Sequence, residues 1–288
     1  MSSVLVVGRG FLGEKILSVF SSEGFETHCA SIGAESEFAL DIADRKRVFS
    51  CLERFAPETV FLCASLTNVD ACEAGPAKAA GVNVLGAKNV LDACIEFNAR
   101  PVFFSTDFVF DGEKGNYTEN DIPNPVNVYG KTKLEAEKFF LKRADALVLR
   151  ISSLYGYNSK NDKRTFLNWV LQSLSEGKTI PVFSDQKTSP TLIDDIANAC
   201  LRLLDKDAKG LFHCAGAEAI SRFGFAEKAA EAFGLDKSLL KPVRSDAVKQ
   251  AAKRPRDSSL CIKRIEGKGV SMSDVCNGLE KAGARFPA

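Results

Sequence analysis

Val4-Leu5-Val6-Val7-Gly8-Arg9-Gly10-Phe11-Leu12-Gly13 stands at the head of the chain and decides its fold. The apolar run Val4 to Val7 reads as a buried strand, and Phe11, Ile16, Leu17 and Phe20 then lay an apolar stripe along a helix. Between them lies a G-x-G-x-x-G. At a strand-to-helix junction that spacing has a mechanical purpose: Gly8 permits a tight turn, Gly10 lets a pyrophosphate approach the backbone, and Gly13 lets helix and strand pack closely. The N–H groups and positive dipole end of the helix then face the phosphates. Glycine turns also serve purely structural ends. Placed at the first β-to-α junction, Gly8, Arg9, Gly10, Phe11, Leu12 and Gly13 read as a dinucleotide cradle.

Working outward, Phe25 to Ala30 reads as a second strand, followed by a helix capped by Asp44 and running through Val48, Leu52 and Phe55. Thr59 to Leu62, Val102 to Phe104 and Ala146 to Ile151 read as further strands. A helical region through Val84, Val90 and Leu91, and another from Tyr129 to Phe140, separate them. Strands alternating with amphipathic helices predict right-handed crossovers and an α/β fold: a Rossmann-type doubly wound parallel sheet. Past about residue 152 the alternation loosens, with helical patterns at Phe166 to Leu174, Ile193 to Leu204 and Phe223 to Phe233. We expect residues 1–152 to form the dinucleotide-binding domain and 153–288 mainly a smaller C-terminal α/β substrate lobe, with segments near 184–212 returning to the first domain.

The composition narrows the function. The 288 residues are 45% hydrophobic and 26% charged, with a formal net charge of +1, so no bulk attraction to nucleic acid or an anionic membrane is built in. Nine cysteines without a CxxC pair, and only two histidines, argue against a disulfide framework and against a metal site. His28 and His213 sit in or beside strands and read as structural, as do Cys63 and Cys214. No basic leader precedes the first strand and no apolar run reaches membrane-spanning length, so a cytoplasmic location is expected.

The tip of the second strand, where an acid usually meets the adenosine ribose, reads Cys29-Ala30-Ser31. That leaves NAD(H) without its usual partner. Arg9 either meets a 2′-phosphate or points to solvent, and the expectation leans to NADP(H) over NAD(H).

Tyr129-Gly130-Lys131-Thr132-Lys133 is a YxxxK on a helix, which puts Tyr129 and Lys133 on one face. A free phenol titrates near pH ~10, and an adjacent ammonium favours the phenolate and brings tyrosine into general acid/base range. Lys133 is also placed to hydrogen-bond a nicotinamide ribose. Upstream, the strand Val102-Phe103-Phe104 runs into Ser105-Thr106-Asp107-Phe108, where hydroxyls open into the crevice of a doubly wound sheet. Thr106 is then placed to hydrogen-bond a substrate carbonyl as charge develops on it. Farther on, Lys253, Arg254 and Arg256 form either a solvated basic face or an arginine fork for a substrate diphosphate, with Arg256 the candidate.

With these residues in hand the chain resembles the extended short-chain dehydrogenases/reductases, in particular dTDP-4-dehydrorhamnose reductases and the related regulatory β subunits of methionine adenosyltransferase. The likeness runs nearly end to end: Ser105 to Gly112, Glu119 to Pro125, Val128 to Glu137, Asp185-Gln186 with Ser189-Pro190-Thr191, Gly210 to His213, and Arg254-Pro255-Arg256-Asp257. The resemblance implies a catalytic triad of Thr106, Tyr129 and Lys133. It also implies a dinucleotide surrounded by the glycine turn, Asp41, Ile42, Ala64, Ser65, Asn83, Ser105 and Lys133, and a sugar site lined by Thr67 and Phe108. Two departures bear on the substrate. Phe108 stands where the reductases carry tyrosine, and Ser153 lies in a segment where they often carry tryptophan. The expected function is an NAD(P)H-dependent reductase of a nucleotide-linked deoxysugar. The alternative is a dinucleotide-binding regulatory subunit partnered by the methionine adenosyltransferase catalytic subunit; an epimerase ranks below both. A homodimer is compatible with the sequence.

Overall fold

The computed structural model describes residues 2–33, 36–157, 165–248 and 250–284. In β1 (Ser3–Val7) the side chains alternate between two cores: Val4 and Val6 face one, Leu5 and Val7 the other. A parallel strand covered on both faces has this continuous apolar run rather than an alternating pattern. The same division recurs along the first half of the chain. It contains α1 (Phe11–Ser22), β2 (Glu26–Ser31), β3 (Phe38–Ala39), α2 (Arg45–Phe55), β4 (Thr59–Leu62), α3 (Val69–Ala74), α4 (Pro76–Ala80), α5 (Ala87–Glu96), β5 (Arg100–Thr106), α6 (Val128–Phe140) and β6 (Leu147–Ile151).

The second half contains β7 (Leu154–Tyr155), α7 (Phe166–Ser175), β8 (Ile180–Phe183), β9 (Lys187–Thr188), β10 (Thr191–Leu192), α8 (Ile193–Asp205), β11 (Gly210–His213), β12 (Ile220–Ser221), α9 (Arg222–Ala232), β13 (Leu240–Val243), α10 (Lys263–Glu266) and α11 (Val275–Gly283). Seven strands form one sheet in the order β11-β6-β5-β4-β1-β2-β3, every neighbouring pair parallel. This is the Rossmann-type sheet expected from the alternation. The order in which strands are added reverses between β1 and β4, and in such sheets ligands bind at the carboxyl ends beside that switch.

Helices cover both faces. Phe20 of α1 meets Phe61 of β4 and Phe25 edge-on, each with ring centroids 5.0 Å apart, a geometry that the ring quadrupole favours. On the opposite face Phe103 of β5 stacks on Phe140 of α6 at 4.5 Å. Asp44 caps α2 by accepting from the Arg47 N–H, as its sequence context predicts. After the loosened stretch, α8 returns to pack on α1, and β11 pairs with β6 from Gly210↔Leu147 to His213↔Arg150.

The remaining elements form a second layer with two small cores of its own. One small core joins Tyr155, Leu167, Phe225 and Leu279, and a second joins Val170, Leu174, Val182 and Leu240. A bidentate ion pair ties this layer to the sheet domain: Arg254 donates to both oxygens of Asp70 on α3, at 2.6 and 2.5 Å.

Candidate active site

The glycine turn is built as its spacing requires. Gly8 has φ +104°, a region L side chains avoid, and a Cβ there would overlap the Ala64 backbone at the end of β4. A Cβ on Gly13 would overlap the Gly8 carbonyl. Gly10 differs: among the described residues, apart from its chain neighbours, nothing lies within 4 Å of where its Cβ would point. Packing among the described residues does not require glycine at position 10, an opening that fits the close approach of a dinucleotide. No side chain caps α1, whose first turn faces this turn.

Arg9 reaches across the first turn of α1 and donates from Nε to Glu14 Oε2 at 2.7 Å. Its charge also acts on Cys29 at the end of β2, opposing the burial that pushes this thiol up to about 11. Arg9 therefore stands at the strand tip where the usual acid is missing, and shares its charge with Glu14.

The other expected cofactor residues surround the same end of the sheet. Asp41 is exposed and accepts from the Ala43 N–H, and the Ile42 carbonyl accepts from Asn89. Ala64 and Ser65 follow β4, and Ser65 donates to Asn83 Oδ1 at 2.9 Å. Asn83 lies in the π-helical turn Gly81–Gly86, a kind of turn enriched at functional sites. Its amide is fully engaged: Oδ1 also accepts from the Leu66 N–H, while Nδ2 donates to the Leu66 carbonyl and to Thr132 Oγ1. Asn83 thus clamps the loop after β4 onto α6. Ser105, on the face of β5 that carries Phe103, is 2% exposed, and its hydroxyl has no partner among the described residues. A buried hydroxyl without a partner is costly unless a ligand completes it. Together with the glycine cradle, it fits a bound dinucleotide.

Asn127 caps α6 by accepting from the Gly130 N–H, which starts the helix one residue before the Tyr129 expected from sequence. Tyr129 is half-buried, with the Phe108 ring edge-on at 6.0 Å. Burial pushes its phenol above the ordinary value, hydrogen bonding with Thr106 pulls it back, and the nearby Asp107 charge pushes it up again. The Lys133 ammonium, one helical turn farther along α6, lies 4.2 Å from the Phe103 ring centroid, 4% exposed, and its desolvation lowers it to about 7 against the pull of Glu137 and Cys63. Glu137 is itself held in a buried ion pair with Arg150 of β6, at 2.6 Å.

Thr106 ends β5. Its Oγ1 accepts from the Phe108 N–H and donates to Asp107 Oδ1 at 3.1 Å. Asp107 is 3% exposed and also accepts from Ser152 and Ser258 at Oδ2, at 2.9 and 2.6 Å.

Two cavities of about 260 and 240 Å³ share Phe166 and Arg222 in their walls. The first also includes Ser153, Tyr155 and Thr188; the second includes Trp169, Gln186 and Arg254. Ser153 has φ +34°, an unusual backbone for serine of the kind that clusters at functional sites. Thr67 is exposed on the loop after β4. Arg256 is exposed, and the arginines in the walls of these two cavities are Arg254 and Arg222. Arg222 went unnoticed in the sequence. Its guanidinium lies 5.2 Å from the Phe166 ring centroid, and burial lowers its basicity while Asp107 raises it.

Comparison with known proteins agrees with this architecture. The "Probable low-salt glycan biosynthesis reductase Agl14" of Haloferax volcanii is 33% identical over 295 residues, 99% of this chain and 98% of the relative. The methionine adenosyltransferase 2 subunit beta of Mus musculus is 32% identical over 276 residues, 93% of this chain and 82% of the relative. The crystal structure of dTDP-4-dehydrorhamnose reductase from Bacillus anthracis, in complex with NADP, superposes with TM-score 0.91 at 27% identity, covering 99% of this chain and 100% of that one. The RmlD substrate binding domain model matches residues 1–285. With its seven-stranded parallel sheet, this chain belongs to the RmlD substrate binding domain family, in the dTDP-4-dehydrorhamnose reductase branch of the extended short-chain dehydrogenases/reductases.

Proposed function

We propose that the protein is an NAD(P)H-dependent reductase of the keto group of a nucleotide-linked deoxysugar, with NADP(H) the favoured cofactor. What supports this reading is Thr106 at the carboxyl end of β5 acting on the phenol of Tyr129 on α6, with Lys133 one turn along that helix and set against Phe103 of the same strand. Gly8 to Gly13 and α1 hold the diphosphate, Arg9 meets the 2′-phosphate, and Asp41, Ile42, Ala64, Ser65, Asn83, Ser105 and Lys133 complete the enclosure. Bound there, a reduced nicotinamide supplies a hydride to the substrate's carbonyl carbon.

The protein's part is to hold and move the proton. The raised phenol of Tyr129 keeps its proton through neutral pH, the state a reduction needs, and gives it to the carbonyl oxygen. Thr106 stabilises the charge developing on that oxygen. Arg222 and Arg254 hold the diphosphate of the nucleotide sugar where the two cavities meet, and Phe166 and Trp169 cover its apolar parts. NADPH oxidation in the presence of a dTDP-4-keto-6-deoxysugar tests this. Turnover that disappears with Tyr129→Phe is expected; no turnover across several nucleotide sugars overturns it.

A second reading is a regulatory subunit of methionine adenosyltransferase. It is favoured by the β-subunit relatives and by Phe108, which sets a ring without a hydroxyl against Tyr129. A stable complex with a synthetase catalytic subunit in native lysate, together with no reductase turnover, decides for it.

A further inference from the structure

We propose that Asp107 is a positioning residue whose protonation decides where the single proton of Thr106 points. This rests on the reductase reading and deepens it.

A threonine hydroxyl has one proton. In the structure that proton is directed at Asp107 Oδ1, 3.1 Å away, while Thr106 Oγ1 accepts from the Phe108 N–H. As long as Asp107 is a carboxylate, Thr106 has no proton left for a substrate carbonyl. A protonated Asp107 reverses the bond: its own O–H donates to Thr106 Oγ1, and the threonine proton turns to the reacting oxygen or to the phenol oxygen of Tyr129, on which Thr106 acts to oppose the rise that burial causes.

Burial favours the acid form, against three donated hydroxyls and the positive charge of Arg222. Asp107 is 3% exposed, and Ser152 and Ser258 occupy its other oxygen as donors, leaving Oδ1 as the atom that carries the proton. No lysine or arginine is ion-paired with it among the described residues, a setting that disfavours a buried carboxylate. Two charged or titratable groups feel Asp107 from the helices packed around it: the phenol of Tyr129 on α6 and the guanidinium of Arg222 on α9. Burial raises the Asp107 carboxyl, and the three hydroxyls act against that rise. Ser152 and Ser258 come from the loops after β6 and before α10, so the second layer reaches Thr106 through this carboxyl.

Infrared pH-difference spectra of the unliganded protein and pH profiles of kcat/KM together test the proposal. The wild type is expected to show a buried carboxylic-acid C=O band, missing in Asp107→Asn, that fades as pH rises. Its midpoint should coincide with one declining limb of kcat/KM, distinct from any limb that persists in Asp107→Asn. Asp107→Asn, whose amide N–H donates to Thr106 at every pH, should keep kcat/KM within about threefold of wild type near neutrality and lose that limb. Thr106→Val, by contrast, should fall by about 10²-fold, as when one oxyanion donor is removed.

Absence of the band, or persistence of the limb in Asp107→Asn, overturns the proposal. A loss beyond about tenfold in a folded, NADPH-binding Asp107→Asn does so as well. Should Asp107→Asn not fold, the limb must vanish in Thr106→Val on the native Asp107, and its retention is equally decisive. The infrared arm needs no turnover, so failure of the reductase reading is distinguishable from failure of this one.

Discussion

The side-chain amide of Asn83 donates to Thr132 Oγ1 at 3.2 Å, joining the π-helical turn before α5 to the helix that carries Tyr129 and Lys133. Thr132 passes the constraint on by donating to the Tyr129 carbonyl at 2.9 Å. Asn83 is therefore expected to matter through the geometry of α6 as well as through any ligand.

Asn83→Ala leaves the Leu66 N–H and the Ser65 hydroxyl without their acceptor, at a cost of about 1 to 3 kcal/mol. We expect a lower Tm and a kcat reduced by about tenfold or more, with KM changed less. Urea unfolding and steady-state kinetics check both. Unchanged stability would contradict the clamp.

The glycine cradle makes a discriminating pair. Gly8→Ala strains a positive-φ backbone and drives a methyl into Ala64, so it should destabilise the fold by more than about 1 kcal/mol. Gly10→Ala meets nothing among the described residues beyond its chain neighbours and should leave Tm nearly unchanged while weakening NADPH binding. Calorimetric Kd values for the two variants separate packing from ligand approach.

Lys133 gives the stability a pH signature. Burial lowers its folded-state pKa from 10.5 to about 7, so between those values the unfolded chain holds the extra proton. The cost of burying the ammonium is fully present below pH 7 and is relieved as pH rises through that window; the sign is therefore rising stability with pH, by on the order of a few kcal/mol. Lys133→Met should flatten this dependence and stabilise the protein most at pH 6. Denaturant midpoints at pH 6 and pH 9 measure it.

Much of this was legible in the sequence wherever the chemistry is local. The glycine turn lies within six residues of one strand-to-helix junction, and Tyr129 and Lys133 lie one helical turn apart, so spacing alone placed them. The parallel sheet followed from alternation, down to the Asp44 cap. What escaped depends on distant segments. Asp107 gathers Ser152 and Ser258 from 45 and 151 residues away. Arg254 finds Asp70 across 184 residues, which leaves it in the cavity wall and Arg256 exposed. No local pattern announces the π-helical turn, nor the packing of α7 on α9 that brings Arg222 under Phe166.

The two arginines make the substrate end testable. Arg222→Gln should raise KM for a nucleotide sugar by about tenfold or more while leaving the Kd for NADPH unchanged, because it removes a charge-assisted contact to phosphate. Arg256→Ala should leave KM within about twofold, given its exposed position. The reverse ranking would move the diphosphate site to Arg256.

The most direct test of the central claim is the loss of NADPH absorbance on mixing wild-type protein with a dTDP-4-keto-6-deoxysugar, run beside Tyr129→Phe. Steady oxidation by the wild type is predicted, with a fall of at least about 10²-fold in the variant and no change in its affinity for NADPH. Equal rates in the two proteins would contradict the role given to Tyr129, and no oxidation by either would contradict the reductase itself.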